Sequence, residues 1–232
     1  MIIKKAMILG AGLGKRMLPL TTKIPKPLIK IGPKNLLERT IDLLIKIGIE
    51  EIIINTHYLS DVIENFIKNK KYKIHISIVK EEMLLDTGGG ILNATKKFES
   101  DPFFVLNPDT IWNKNYYEEL VVLENSYLNN KKPILLLVDK AYSYDKSFKG
   151  DFNFTKKSHI IRGTSNQFIF IGAQIISRSI FKDIKEKVFS MNLVWNQMIE
   201  EKKLLGQESN QTFFHINNLN VYEELNKLKF ID

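Results

Sequence analysis

The sequence predicts an α/β fold, a mostly parallel sheet with helices on both faces. Three observations carry this prediction: short apolar runs alternate with stretches of helical spacing, a glycine-rich loop follows the first run, and the alternation stops near residue 139. Strands that alternate with helices are typical of parallel sheets, because each parallel pair needs a long crossover. We therefore expect the parallel strands within residues 1–138.

The first 138 residues show this alternation throughout. Apolar residues three or four positions apart predict a helix over residues 35–47, and those residues are Leu36, Leu37, Ile41, Leu44 and Ile45. The other elements follow from the same kind of pattern. Helices are expected near residues 59–67, 91–97 and 116–127, and strands at residues 5–9, 51–55, 73–79, 103–107 and 133–138.

After residue 138 strands and helices no longer alternate. Residues 150–154, 159–163 and 167–176 predict antiparallel strands joined by tight turns. Helices are expected near residues 179–187, 193–203 and 221–229, with a turn at Gly206. Because the sequence contains no internal repeat and no low-complexity linker, we expect one domain over residues 1–232. Residues 1–138 form its larger half and residues 139–232 a smaller antiparallel and helical lobe.

Composition narrows the class of protein. Hydrophobic residues make up 44% of the 232 residues, which is enough for a substantial core. No apolar stretch approaches the roughly 20 residues that cross a bilayer, so we expect no membrane partner and a cytoplasmic location. The absence of cysteine excludes disulfides and thiolate zinc sites.

The net charge of +8 raises the question of a nucleic-acid partner. Lysines are spread over the whole chain, and the densest run, residues 68–73, lies between predicted elements. We interpret that run as a solvated turn and expect no nucleic-acid binding. A basic protein still attracts small polyanions such as nucleotides.

The glycine-rich loop lies where a parallel strand ends, which is where α/β proteins bind ligands. Its glycines leave backbone N–H groups free to face a phosphate. Two familiar motifs nevertheless fail. The dinucleotide pattern G-x-G-x-x-G begins at Gly10 and Gly12 but finds Lys15 in place of its third glycine. The Walker A pattern fails because Arg16 stands where serine or threonine is required.

Two cations flank this loop. Arg16 supplies a guanidinium fork, and Lys26 supplies a point charge on a segment that Pro25 and Pro27 keep extended. A triphosphate needs this combination of backbone donors, a fork and a point charge. We therefore assign the loop to triphosphate binding.

The full pattern, G-A-G-x-G-x-R-M-x-P-L-T-x-x-x-P-K-P-L, resembles the signature of the sugar-1-phosphate nucleotidyltransferases, which implies that Arg16 and Lys26 are the catalytic cations. The stretches EEMLLDTGGGI, VLNPDT, KGDFNF and FIFIGAQII follow in the order of that family, so the resemblance covers essentially the whole chain. It is closest to bacterial N-acetylmuramate-1-phosphate uridylyltransferases, and mannose-1-phosphate guanylyltransferases are similar. The resemblance implies a Rossmann-like fold of the nucleotide-diphospho-sugar transferase type. It also implies transfer of a nucleotide from an NTP to a sugar 1-phosphate with release of pyrophosphate.

The resemblance places Mg²⁺ on two residues. Asp109 follows a predicted strand in an N-x-D pattern, where a carboxylate suits Mg²⁺, although it could instead form a turn or cap a helix. Asn218 stands at the second ligand position, where the most similar uridylyltransferases carry aspartate, and Val221 replaces the usual threonine. An asparagine brings no charge and could instead cap the last helix. These departures leave open a catalytically weak nucleotide-sugar binding protein.

The resemblance also implies the substrate contacts. The nucleotide-binding residues are expected to be Leu9, Gly10, Ala11, Gly12, Gly14, Lys15, Glu81, Thr87 and Gly88. Glu81 would face the base, but a carboxylate accepts from uracil N3–H and equally from guanine N1–H and its 2-amino group. Residues 1–138 would then hold the nucleotide and residues 139–232 the sugar.

The sugar side of the site has weaker support. The sugar-binding residues are expected to be Asn107, Gly150, Asp151 and Gly172, and Asp151 could instead cap a hairpin. The four histidines, His57, His75, His159 and His215, show no ligand spacing and are interpreted as surface or half-buried residues. The partners expected are an NTP and a sugar 1-phosphate, UTP and N-acetylmuramate 1-phosphate in first place, in a monomer or homodimer. That acceptor would belong to peptidoglycan recycling.

Overall fold

The computed structural model describes residues 1–155 and 158–228, in which eleven strands and six α-helices form. The strands are β1 (Lys5–Leu9), β2 (Lys30–Ile31), β3 (Lys34–Asn35), β4 (Glu51–Thr56), β5 (His75–Lys80), β6 (Phe103–Leu106), β7 (Ile134–Asp139), β8 (Asn153–Phe154), β9 (Ile160–Ile161), β10 (Phe168–Ile176) and β11 (Leu205–Ser209). The helices are α1 (Leu36–Lys46), α2 (Ser60–Lys70), α3 (Asp86–Ala94), α4 (Tyr116–Asn130), α5 (Met191–Glu200) and α6 (Leu219–Lys227).

Seven strands form one sheet in the order β11-β7-β10-β6-β1-β4-β5. Strand β1 pairs in parallel with β4 and β6, β4 pairs in parallel with β5, and β11 pairs in parallel with β7. Only β10 runs against its neighbours, antiparallel to both β6 and β7. The predicted mostly parallel sheet is therefore confirmed. Residues 139–232 supply β10, which lies near the centre of the sheet, and β11, which lies at its edge.

Alternate side chains of the sheet enter two separate cores. Ile8 of β1 lies in a cluster with Leu44 of α1 and Leu120 of α4, on one face of the sheet. Its neighbour Met7 lies in a second cluster with residues of α3 and α5, including Ile91. This alternation follows from the two-residue period of a strand. Helices consequently cover both faces, as the sequence predicts.

The glycine run at residues 88–90 precedes the helix that the sequence predicts near residues 91–97. It lies inside α3, which begins at Asp86 instead of near residue 91. The glycines are needed there because a Cβ on Gly88 would lie 2.3 Å from the Phe189 ring, and one on Gly89 would lie 2.4 Å from the Lys187 carbonyl oxygen. The N–H groups of both glycines donate to the Phe189 carbonyl. Close packing, and not a turn, accounts for this run.

Three further predictions in the second half need correction. The helix expected near residues 179–187 is only a 3₁₀ turn, Arg178–Phe181. The turn expected at Gly206 is part of β11, where a Cβ would lie 2.6 Å from side-chain atoms of Ile160 and Phe154. The last helix begins at Leu219. Its predicted end at residue 229 lies outside the described residues.

Length and polarity together decide whether a helix can span a bilayer. The longest helix of residues 1–155 and 158–228 is α4, with 15 residues. No helix in that part of the chain has both the length and the apolar character that a membrane span requires.

The central position of β10 leads to a stability prediction. Ile175 is buried and pairs with Phe104 of β6 and Ile134 of β7. Because the cavity left by a deleted core side chain is only partly filled, Ile175→Ala should lower the free energy of unfolding by about 2–5 kcal/mol. Urea denaturation followed by circular dichroism and tryptophan fluorescence measures this change. The exposed Ile161, changed to alanine, is the control, and an equal loss in both variants would contradict a central β10.

Candidate active site

A cavity of about 470 Å³ opens at the carboxyl ends of β1, β4 and β6. Its walls are the glycine loop, the segment with Lys26 and Pro27, the start of α3, and residues 107–109 after β6. This edge of a parallel sheet is the usual place for a ligand, because the crossover loops leave a crevice there. The sheet therefore positions the cavity where the sequence places the phosphate loop.

Most of the expected site residues line this cavity. Those that do are Leu9, Gly10, Ala11, Gly12, Gly14, Lys15, Arg16, Lys26, Glu81, Thr87, Asn107 and Asp109. Those that do not are Gly88, Gly150, Asp151, Gly172 and Asn218. Residues that the sequence does not single out also line it, notably Asn55, Asp86 and Asn217.

Asn55 fixes the start of the glycine loop. The Gly10 N–H donates to the Asn55 side-chain oxygen at 3.0 Å and to its backbone oxygen at 3.1 Å. A Cβ on Gly10 would lie 2.7 Å from that backbone oxygen, so only glycine allows this close approach. The sequence gives no signal for Asn55, because an asparagine at a strand end resembles any other turn residue.

The same asparagine continues the network toward Glu81. Asn55 Nδ2 donates to Glu81 Oε1 at 2.7 Å, and the Leu85 N–H donates to Glu81 Oε2 at 3.2 Å. Glu81 is buried, and a Cβ on Gly90 would lie 2.8 Å from its Oε1. Both carboxylate oxygens thus already accept hydrogen bonds from the protein. Glu81 therefore connects the glycine loop, through Asn55, to the start of α3.

The cations of the loop differ in their surroundings. Lys15 and Arg16 are exposed in the 3₁₀ turn Lys15–Met17, and among the described residues neither has an acidic partner within 4 Å. Lys26 is half-buried, and its Nζ lies 2.6 Å from Asp109 Oδ2. Two cations are therefore free to meet an anion, whereas the third is already paired.

Asp109 contacts two nitrogen-bearing side chains, Lys26 and His215. Besides Lys26, His215 places its Nε2 3.2 Å from the same Oδ2. Burial alone raises the pKa of the Asp109 carboxyl, but the charges and hydrogen bonds of Lys26 and His215 outweigh it and hold this pKa well below its usual range. Asp109 is consequently a carboxylate at neutral pH.

The other oxygen of Asp109 has no partner. Among the described residues, Asp109 Oδ1 is buried and accepts no hydrogen bond, which is costly for a charged group unless a ligand completes the site. No cluster of three or more histidine or acidic side chains suited to a metal occurs in the described ranges. One carboxylate completed by phosphate oxygens and water nevertheless suits Mg²⁺. The free oxygen of Asp109 fits a metal of this kind.

Asn218 takes the position of a helix cap. Its Oδ1 accepts from the Val221 N–H at 3.0 Å at the start of α6, and its Nδ2 donates to Asn217 Oδ1 at 2.8 Å. Its neighbour Asn217 lines the cavity and donates to Asp145 Oδ2 at 2.8 Å. The polar group that the C-terminal segment presents to the cavity is therefore Asn217.

Of the four residues expected at the sugar, Asn107 lines the cavity, whereas Gly150, Asp151 and Gly172 are not part of its lining. Gly172 of β10 accepts from the Asn107 N–H at 2.7 Å and has φ of +89°. Asp151 accepts from the Phe170 N–H at 2.9 Å. Burial raises the pKa of the Asp151 carboxyl, against the opposing effects of that N–H and the charge of Arg162. Backbone groups of β10 thus hold both Asn107 and Asp151.

Comparison with known proteins agrees with this geometry. A family model described as nucleotidyl transferase matches residues 5–141, more than half of the chain. The chain belongs to the nucleotidyl transferase family. The matched residues include the glycine loop, Lys26 and Asp109.

Relatives of this nucleotidyltransferase differ in nucleotide and sugar. The N-acetylmuramate alpha-1-phosphate uridylyltransferase of Caulobacter vibrioides is 27% identical over 222 residues, 92% of this chain and 91% of the relative. The mannose-1-phosphate guanylyltransferase catalytic subunit beta of Xenopus tropicalis is 39% identical over 144 residues, 60% of this chain. The match spans only 40% of that guanylyltransferase.

Solved structures share the fold of this nucleotidyltransferase. HddC from Yersinia pseudotuberculosis, whose structure has also been determined with GMP-PN, is 24% identical with a TM-score of 0.77, and the match covers 97% of this chain and 99% of HddC. A UDP-glucose pyrophosphorylase in complex with UDP-glucose is 18% identical with a TM-score of 0.79, and the match covers 97% of each chain. At this identity the likeness concerns the fold.

The helix cap formed by Asn218 leads to a stability prediction. Asn218→Ala removes the acceptor for the Val221 N–H and should lower the free energy of unfolding by about 1 kcal/mol, whereas Asn218→Asp keeps a good cap and should leave it nearly unchanged. Urea denaturation of both variants measures this difference. Equal stability of the alanine variant and the unchanged protein would contradict a capping role.

Proposed function

We propose that this protein transfers a nucleotidyl group from UTP to N-acetylmuramate 1-phosphate, giving the UDP-sugar and pyrophosphate. One observation carries the proposal: the cavity brings the glycine loop together with Lys26 and Asp109 at the ends of neighbouring parallel strands. This reaction needs N–H groups that donate hydrogen bonds to phosphate, a cation, and a carboxylate that can bind a metal ion. The Caulobacter relative, similar over nearly its full length, supports this choice of substrates.

The exposed cations of the loop are suited to the leaving pyrophosphate. Arg16 and Lys15 have no acidic partner among the described residues, so binding a polyanion breaks no ion pair. An arginine fork and backbone N–H groups together bind phosphate oxygens with defined orientation. Arg16 would stabilise the charge that develops on pyrophosphate, and the N–H groups of the loop from Gly12 onward would hold the remaining oxygens.

Lys26 is the cation for the reacting phosphates. It is half-buried, and a charge in such a site interacts more strongly than one in water. The attacking sugar 1-phosphate is already an anion at neutral pH, so the reaction requires no general base. Catalysis then consists of positioning two anions and neutralising their charge.

A divalent cation, Mg²⁺ in the first instance, would be held by Asp109, whose free Oδ1 is a hard oxygen ligand. When bound, such an ion acts as a Lewis acid and as a template for phosphate oxygens. Asn218 Oδ1 accepts from the Val221 N–H, and its second lone pair would remain for the ion. Asn217 is the residue of that segment that lines the cavity.

A cluster around Arg162 supports a sugar 1-phosphate that carries a further negative charge as the acceptor substrate. Arg162 donates to Asn192 Oδ1, and its guanidinium lies 4.8 Å over the Phe152 ring. Asn192 follows Met191, whose N–H donates to Thr87 Oγ1 of the cavity wall at 2.9 Å. The lactyl carboxylate of N-acetylmuramate would meet a cation there, whereas neutral mannose offers no such group.

The choice of base has less support in the site. Glu81 uses both oxygens within the protein, so a contact with the base would add to existing hydrogen bonds. This geometry accommodates the donors of either uracil or guanine. GTP with mannose 1-phosphate is therefore the second candidate, supported by the guanylyltransferases among the relatives.

The reaction can be tested by measuring pyrophosphate release from four NTPs against a panel of sugar 1-phosphates. Lys26→Met should reduce turnover at least about a hundredfold, because it removes a charge that stabilises the transition state. Lys30→Met, which removes an exposed lysine outside the cavity lining, is the matched control. Circular dichroism verifies that the Lys26 variant remains folded.

The outcomes separate the candidate functions. Turnover with UTP and N-acetylmuramate 1-phosphate supports the proposal, and turnover with GTP and mannose 1-phosphate favours the second candidate. Nucleotide-sugar binding without turnover of any pair would indicate a binding protein. Undiminished turnover in Lys26→Met would refute the assigned chemistry.

Arg162 allows the acceptor to be tested by itself. Arg162→Gln should lower kcat/KM for the carboxylate-bearing sugar 1-phosphate about tenfold to a hundredfold, the value of one charge-assisted hydrogen bond. For a neutral sugar 1-phosphate, kcat/KM should change less than about threefold. Lys182→Gln, an equal charge change on the exposed surface, is the control. Equal losses with both acceptors would contradict recognition of the carboxylate.

A further inference from the structure

The glycine loop is anchored to the protein at both of its ends. At its start, the Gly10 N–H donates to the side-chain oxygen of Asn55 at 3.0 Å. At its end, Gly14 has φ of +64°, and its carbonyl accepts from Thr21 Oγ1 at 2.9 Å. Between these anchors, a Cβ on Gly12 would meet no neighbouring atom within 4 Å, and none of the described residues accepts a backbone hydrogen bond from the Gly12 N–H. The middle of the loop is therefore open to the cavity, and phosphate oxygens can reach its N–H groups.

Asn55 can anchor Gly10 in only one orientation of its side-chain amide. The amide oxygen faces the Gly10 N–H, and Nδ2 donates to Glu81 Oε1 at 2.7 Å. A turned amide would place a donor against the Gly10 N–H and an acceptor against the carboxylate. Asn55 and Glu81 are only 2% and 3% exposed, so bulk water does not replace a hydrogen bond that either of them loses. Glu81 therefore selects the orientation of Asn55 that anchors the loop.

Glu81 is fixed in turn by α3. The Leu85 N–H donates to its Oε2 at 3.2 Å, and a Cβ on Gly90 would lie 2.7 Å from Asn55 Nδ2 and 2.8 Å from Glu81 Oε1. We infer that Asn55 and Glu81 form a positioning pair, which acts through Gly10 on the loop and thereby sets the affinity of the loop for a triphosphate. The inference rests on the proposed function, because it assigns the loop to the phosphates of the NTP.

Two substitutions that exchange the polarity of the pair test the inference. In Asn55→Asp, the introduced carboxylate still accepts from the Gly10 N–H, but its other oxygen opposes Glu81. In Glu81→Gln, the introduced NH₂ group opposes a donor in either orientation, Asn55 Nδ2 or the Leu85 N–H. In the double variant, the carboxylate accepts from both the Gly10 N–H and the introduced NH₂ group, and the new amide oxygen accepts from the Leu85 N–H. Every hydrogen bond of the network is then restored.

Isothermal titration calorimetry of the full chain with inorganic tripolyphosphate measures the phosphate site alone, because this probe carries no base. Each single variant should raise the Kd at least about tenfold, the effect of one lost hydrogen bond to a charged group. The double variant should return the Kd to within about threefold of that of the unchanged protein. Long-range charge alone would instead weaken binding in Asn55→Asp and strengthen it in Glu81→Gln. Glu82→Gln, an equal charge change at an exposed neighbour outside the cavity lining, is the matched control and should leave the Kd nearly unchanged.

A measurement on the unchanged protein tests the inference even if a single variant is unstable. Nuclear magnetic resonance of protein labelled with ¹⁵N-glycine follows the backbone N–H groups of the loop during a titration with tripolyphosphate. The Gly12 and Gly14 resonances should shift strongly. The Gly10 resonance should shift much less, because its N–H already donates to Asn55. A Gly10 shift larger than both others would contradict the anchored start of the loop.

Three further results would overturn the inference. The first is an unchanged Kd in single variants whose free energy of unfolding falls, which would make Asn55 and Glu81 structural residues only. The second is a double variant that binds tripolyphosphate as weakly as the single variants. The third is an unchanged protein that binds no tripolyphosphate. Restored binding in the double variant, without pyrophosphate release from any substrate pair, would instead support the positioning pair and contradict the proposed function.

Discussion

The contact of Asp109 with Lys26 and His215 is the interaction on which the cavity depends. It joins the segment after β1, the end of β6 and the approach to α6, which are distant in the sequence. Burial of a carboxylate is unfavourable by itself, and the contacts with Lys26 and His215 compensate for it. The ion pair therefore organises three walls of the cavity around one charge. A ligand whose phosphates attract Lys26 would weaken the ion pair that neutralises the Asp109 carboxylate.

The sequence predicts the parts of this site that depend on local patterns. The glycine loop, Arg16, Lys26 and Asp109 all follow predicted strands or stand within one continuous motif, and the structure places them in one cavity. His215 is not predictable in this way, because its contact with Asp109 depends on pairing between segments about a hundred residues apart. A lone histidine without ligand spacing gives no signal of such a contact.

The fold shows the same division between local and distant information. Parallel strands of the first half follow from hydrophobic runs, and α1 follows from the apolar spacing over residues 35–47. The position of β10 between β6 and β7 is a matter of pairing with distant strands, which an apolar run alone does not specify. The start of α3 at Asp86 is not predicted for a related reason. The Phe189 segment, against which the glycines at 88–90 pack, is remote in sequence.

The central antiparallel strand has a consequence for how the chain is made. Strands β1, β4, β5 and β6 leave the ribosome well before β10, so the free edge of β6 remains without its partner during that interval. An unpaired strand edge is a template for pairing with other chains. Until Phe168–Ile176 has been synthesised and has docked, the edge of β6, the strand that leads into Asp109, is therefore open to such pairing.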